Sequence, residues 1–183
     1  MIEIRDLSVR FGDKIVLDHF NADLPDRGCV VIRGDSGVGK TTLLRVLAGT
    51  LRQDSGTILG MENRKRSVAF QEPRLLPWKT ALENASLASD MKQAEKYLAV
   101  LSMQNELHTR ADKLSGGQQQ RVSLARAFAF SNDIVLLDEP FNGLDEQNRQ
   151  RAAELFRTAK LCIAVLHHED EERILNPDKK IRL

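Results

Sequence analysis

Apolar residues near the N-terminus fall on alternate positions (Ile2, Ile4, then Val9, Phe11, then Ile15, Leu17) and break at Gly12 and Asp13. A period of two with a turn-forming break predicts an antiparallel strand pair. Cys29 to Ile32 is a short, β-branched apolar run that ends in a glycine-rich turn, and Thr41 to Ala48 follows at helical spacing. Gly49 suits a left-handed helix C-terminus, and Thr57 to Leu59 and Val68 to Phe70 predict two more short strands. Between Thr80 and Leu101 the apolar positions Ala81, Leu82, Ala85, Leu87 and then Ala94, Tyr97, Leu98, Leu101 recur at helical intervals with no strand between them. A helical insertion is expected there. From Leu114 the pattern predicts a Ser-Gly-Gly turn, a helix Gln118 to Phe130, a buried strand Ile134 to Leu137 and a helix Glu146 to Ala159. A second buried strand, Leu161 to Leu166, and a short acidic helix, Glu169 to Leu175, complete the pattern. Buried strands alternating with helices imply an α/β fold whose mainly parallel sheet is covered on both faces. The expected organisation is one domain over 1–183, with a core of 1–79 and 115–183 and a helical subdomain of about 80–114.

Composition narrows the class. At 183 residues, 42% hydrophobic and 29% charged, the chain holds enough apolar material for one core, since domains average about 150 residues. Lys and Arg total 27 against 26 Asp and Glu, a net charge of +1, which supplies no field for nucleic acid or an anionic membrane. Any partner must be recognised locally. Cys29 and Cys162 lack metal-ligand or redox spacing and read as reduced core residues. The longest apolar run, Leu161 to Leu166, is far short of the roughly 20 residues of a membrane span. Met1, Glu3 and Asp6 do not form a signal peptide, so a cytosolic location is expected.

Three segments carry chemistry. Gly34, Asp35, Ser36, Gly37, Val38, Gly39, Lys40 and Thr41 fit GxxxxGK[ST] between an expected strand and an expected helix. Backbone N–H groups of such a loop and the helix N-terminus surround phosphate oxygens; glycine is needed because a Cβ would block the approach. Lys40 supplies a point charge to the terminal phosphates and the Thr41 hydroxyl can ligate Mg²⁺. Ile134 to Leu137 ends in Asp138, Glu139 and Pro140, which delivers paired acids to the C-terminal end of a buried strand. Asp138 would hold Mg²⁺ through water while Glu139 polarises an attacking water. In the third segment, Leu114, Ser115, Gly116, Gly117 and Gln118 open a helix, either as a second anion site or as a plain N-cap.

Together these segments resemble the nucleotide-binding subunits of ABC transporters, over nearly the whole chain. The ordered motifs are GDSGVGKT, Gln71 in QEPRLLPW for the Q-loop, LSGGQQQR for the signature, IVLLDEP for the Walker B strand and FNGLD for the D-loop. The resemblance implies the ABC ATPase fold and ATP with Mg²⁺ as cofactors, bound by Gly34–Thr41 and Thr42, with Thr41, Gln71 and Asp138 toward the metal. It implies a dimer in which Ser115, Gly116, Gly117 and Gln118 of one subunit close on ATP held by the other, with Asp145 coupling the sites. Phe11 stands where the family stacks an aromatic on adenine; the alternative is strand core. Lys40, Gln71, Glu139 and a switch histidine would serve hydrolysis. His167 and His168 both follow the second buried strand, and the run His168, Glu169, Asp170, Glu171, Glu172 favours His168.

The partners so implied are permease subunits at the cytoplasmic face of the membrane and, indirectly, an extracytoplasmic solute-binding protein. Leu75, Leu76 and Trp78 either form a groove for a permease helix or pack into the helical insertion. The Q-loop is similar to that of importers of the nitrate, sulfonate and taurine group, including thiamine-precursor systems. The segment from Gly60 to Val68 is short for the family, its basic triplet Arg64, Lys65, Arg66 reads as a solvated loop, and no regulatory domain is expected. The competing reading is a soluble ABC-type ATPase acting on nucleic acid or ribosomes; neither tandem cassettes nor a coiled coil is present to support it. A generic P-loop kinase or GTPase is disfavoured by the signature segment.

Overall fold

Three central strands set the architecture. β3 (Gly28–Arg33), β6 (Ile134–Asp138) and β7 (Leu161–Val165) are buried almost throughout in the computed structural model, which describes residues 1–183. Their side chains alternate between two apolar clusters. Val30, Ile32, Ile134, Leu136, Leu161, Ile163 and Val165 face one layer, and Cys29, Val31, Val135, Leu137, Cys162 and Ala164 face the other. Both faces being covered explains why these strands read as continuous apolar runs.

The first layer holds α1 (Lys40–Ala48), through Leu43, Leu44, Val46 and Leu47, and an antiparallel sheet. That sheet has the order β2-β1-β4, formed by β1 (Ile2–Phe11), β2 (Lys14–Leu24) and β4 (Ser55–Leu59). The expected strand pair is present, and Thr57 to Leu59 joins its other edge. The opposite layer holds α2 (Ala81–Ala85), α3 (Met91–Val100), α4 (Gly116–Phe130) and α5 (Glu146–Phe156). Its centre is aromatic: Phe156 lies 6.0 Å from Phe128 and 5.4 Å from Phe141, ring to ring. α5 ends at Phe156 rather than Ala159, because Thr158 and Ala159 form the turn that returns the chain to β7.

The main sheet is parallel with five strands in the order β5-β6-β7-β3-β8, including β5 (Arg66–Ala69) and β8 (Lys179–Arg182). β8 was not expected, because its residues are three cations and one isoleucine. Its pairing with β3 and the ion pair of Lys180 with the buried Glu172 of α6 (Glu169–Leu175), at 2.8 Å, supply what the pattern lacks. The cysteines are direct register partners across β3 and β7, both buried as free thiols. The basic triplet is not simply solvated: Arg64, 13% exposed, pairs with Asp133 at 3.2 Å. No helix is long and apolar enough to cross a membrane.

Phe156 is fully buried between two other rings. Phe156→Ala should therefore lower stability by about 3–5 kcal/mol, read as a lower urea midpoint at unchanged m-value. A loss below 1 kcal/mol would mean the aromatic cluster collapses around the gap.

Candidate functional site

The loop Gly34–Gly39 leaves the C-terminal end of β3 and enters α1. Gly37 and Gly39 have φ of 78° and 113°, conformations that strain any side chain. A Cβ at Gly39 would also meet the Val16 carbonyl oxygen of β2 at 2.9 Å. No side chain caps α1 and no acid lies in its first turn, so its N–H groups and positive dipole end are open to an anion. Lys40, 5% exposed, donates from Nζ to the carbonyl oxygens of Gly34 and Asp35, both at 2.8 Å. The ammonium is thus held at the loop's centre.

A cavity of about 400 Å³ opens over this loop, lined by Lys40, Thr41, Thr42, Gln71, Glu139 and His167 among others. Asp138, 2% exposed, accepts from the Thr41 hydroxyl at 3.2 Å. Burial raises its pKa above the ordinary carboxylate value, against the opposing Thr41 hydrogen bond. A desolvated carboxylate beside a hydroxyl is a hard-oxygen pair that fits Mg²⁺. No three His, Cys, Asp or Glu side chains converge on one point, so water and nucleotide phosphates would complete such an ion's shell.

Glu139 follows with φ 49°, the left-handed region. This turn swings its carboxylate to the cavity mouth, where Oε2 accepts from Gln71 Nε2 at 2.9 Å and from Asn142 Nδ2 at 2.7 Å. Oε1 lies 2.6 Å from a histidine Nε2, and the ring is that of His167, not His168 as expected. Strand parity is the physical reason. Ile163 and Val165 face α1, so residue 167 continues toward the phosphate loop, whereas residue 168 is exposed at the N-cap position of α6. The same alternation is readable in the sequence and would have chosen His167.

The structure does not bring the remaining predicted residues into this cavity. Ser115 caps α4 through a reciprocal box with Gln118, at 3.3 and 2.8 Å, while a Cβ on Gly116 would meet nothing within 4 Å. Asp145 caps α5, and the N–H of Asn148 holds its carboxylate below the usual pKa. Phe11 is not strand core: it stands 50% exposed at the β1–β2 hairpin tip, opposite Lys14. Leu75 packs on the helical layer, whereas Trp78 is 64% exposed, so the two readings of that loop divide between them. Buried Asn84 holds the loop by donating to Leu76, Lys79 and Thr80 carbonyls.

Two residues that motif reading passed over tie α4 to this centre. Gln120, 2% exposed, donates to the Pro140 carbonyl at 3.3 Å. Arg126 donates to the Pro73 and Arg74 carbonyls of the Gln71 loop at 2.7 and 3.0 Å, and burial pushes its guanidinium below its ordinary pKa.

Comparison with known proteins bears on what this arrangement is. A family model described as ABC transporter matches residues 17–142. The chain is 37% identical to aliphatic sulfonates import ATP-binding protein SsuB 1 of Streptomyces avermitilis, over 97% of this chain and 71% of that one. It is 38% identical to an SsuB of Mycobacterium sp. (strain MCS), over 100% and 79%. Among solved structures it is similar to the dimeric, post-hydrolysis ATP-binding cassette MJ0796 bound to ADP and Pi, with a TM-score of 0.88 at 25% identity, covering 100% and 94% of the two chains.

The raised pKa of Asp138 means the native state holds its proton more tightly than the unfolded chain does. Its contribution therefore favours folding at pH below the ordinary carboxylate value and is lost as pH rises through the raised one. Neutral, isosteric Asp138→Asn should flatten that slope and raise the nucleotide-free melting temperature at pH 7. A lower melting temperature than the parent's would show that burial does not dominate there.

Proposed function

This chain belongs to the ABC transporter family and is an ATP-binding, ATP-hydrolysing member of it, and from that premise we propose that it energises solute import through separate membrane permease subunits. The observation that carries the catalytic part is Glu139, held between His167 and two amides at the mouth of the phosphate loop. ATP phosphates lie in Gly34–Thr42 with Lys40 on the terminal ones, and Phe11 offers a flat face to adenine. Glu139 polarises the attacking water as general base, and His167 fixes its carboxylate with the proton on Nε2. Thr41, Asp138 and Gln71 would hold Mg²⁺, which would supply charge neutralisation at the phosphates.

One chain supplies only half of each site. No residue of α4 lines the phosphate-loop cavity, while the α4 N-terminus lies open at Gly116. A second copy related by twofold symmetry supplies Ser115 to Gln118 to each nucleotide, so that ATP closes the dimer and hydrolysis reopens it. Asp145 lies beside that junction and couples the two sites. Exposed Trp78 on its Asn84-braced loop receives a helix of the permease, which places the subunit at the cytoplasmic membrane face. The names of the relatives, aliphatic sulfonates import ATP-binding proteins, support aliphatic sulfonates as the proposed solute class, with an extracytoplasmic binding protein as the proposed means of delivery.

Glu139→Gln should retain ATP affinity, lose hydrolysis by about 10²–10⁴-fold and accumulate an ATP-bound dimer in size-exclusion chromatography. A variant that stays monomeric at saturating ATP counts against the sandwich. His167→Ala should lose most hydrolysis and His168→Ala little; the reverse result returns the role to His168. For the transport assignment, a strain lacking the gene should lose growth on alkanesulfonates as sole sulfur source and regain it with the parent but not with Lys40→Ala; unchanged growth of the deletion strain removes that solute class.

A further inference from the structure

Among the three donors on the Glu139 carboxylate, Asn142 differs from the others in where it comes from. His167 and Gln71 arrive from loops 28 and 68 residues away in sequence, whereas Asn142 is three residues on, in the turn that carries Glu139 itself. That turn closes on its own backbone, with the Asn142 N–H donating to the Glu139 carbonyl at 3.2 Å. It is also braced from outside. Phe141 is fully buried against Phe156, Gln120 holds the Pro140 carbonyl, and the Gly143 carbonyl lies so close to Gly117 that a Cβ there would approach it to 2.3 Å. Asn142 Nδ2 therefore travels with Glu139 as one unit. Any displacement of the Gln71 loop still leaves Oε2 a donor.

Asn142 also lines, with Ser36, His167 and His168, a polar recess of about 330 Å³ that Glu139 faces. No apolar residue lines it, which is the setting a water needs. We propose that Asn142 is a positioning residue for hydrolysis, whose amide N–H fixes the rotamer of Glu139 toward that recess. The proposal rests on the reading of Glu139 as the general base. The Asn142 side chain makes no other hydrogen bond in the structure, and the residue is exposed, so the contact is separable from packing.

An isosteric substitution distinguishes positioning from turn formation, because Asp suits a turn as well as Asn does but cannot donate to a carboxylate. Steady-state kinetics of the full chain should give Asn142→Ala a kcat lower by about tenfold, with ATP affinity within about twofold of the parent. Asn142→Asp should be slower than Asn142→Ala, and Asn142→Ser, which keeps a donor, should recover part of the loss. In the Glu139→Gln background, Asn142→Ala should add no further loss. Equal rates for Asn and Asp, or a loss expressed only in ATP affinity, would overturn the role. If Glu139→Gln itself hydrolyses at the parental rate, the base assignment fails and this proposal with it. If Glu139→Gln is inactive while both Asn142 variants match the parent, only the proposal for Asn142 fails.

Discussion

The site depends on one backbone conformation, the left-handed turn at Glu139. Along β6, Val135 and Leu137 point into the helical layer while Ile134, Leu136 and Asp138 face the α1 side. Continued alternation would drive the next side chain, a carboxylate, into the aromatic cluster, where an unpaired charge is costly by several kcal/mol or more, ~20 by idealised solvation estimates. Breaking the strand at that residue delivers two adjacent acids to two different places. Asp138 meets Thr41 behind the phosphate loop, and Glu139 meets His167 at its mouth. A non-glycine residue in this region costs on the order of 1–3 kcal/mol and persists only when its surroundings over-determine it. The Glu139 N–H on Val165, Gln120 on Pro140, and Phe141 against Phe156 are those surroundings.

The same turn joins the nucleotide site to the helical layer. α4 grips it at Pro140 through Gln120 and abuts it at Gly143, while Arg126, further along the same helix, holds the loop that carries Gln71. Arg126 has only carbonyls as partners, so its desolvated charge ties loop and helix together without a counter-ion. A shift of α4 against the parallel sheet cannot leave either Glu139 or Gln71 where it was. In the dimer proposed above, with the nucleotide clasped by the N-terminus of a partner's α4, that linkage would join clasping to hydrolysis.

Much of this arrangement is legible in the amino-acid sequence. The phosphate loop, the buried strands and the paired acids follow from periodicity and from residue types whose chemistry is local, and Ser115, Gly116 and Gly117 announce a helix start whichever role they take. What reads poorly is whatever depends on a neighbour far along the chain. β8 is a strand only because β3 offers it an edge and Glu172 takes up Lys180. Phe11 completes an apolar alternation, yet the sheet outruns the core there, and the ring stays exposed. Arg126, Gln120 and Asn142 belong to segments already noted for other residues; the partners of the first two are backbone carbonyls that no pattern marks, and the pattern that marks Glu139 does not mark Asn142 as its donor.

The histidine pair separates the two kinds of information. Two adjacent rings after a strand are equivalent by composition, and the acidic run that follows favoured His168. Alternation along Ile163, Val165 and His167 decides the matter, because side chains two apart share a face and that face looks onto α1 and the phosphate loop. By itself, then, the sequence determined the fold class, the phosphate loop and the identity of the paired acids, since each rests on local periodicity or local chemistry. The same local alternation carries the choice of histidine, but only the tertiary structure decided that this face meets Glu139, which amides hold the carboxylate and which helix braces its turn, because those depend on distances between segments that the chain order does not contain.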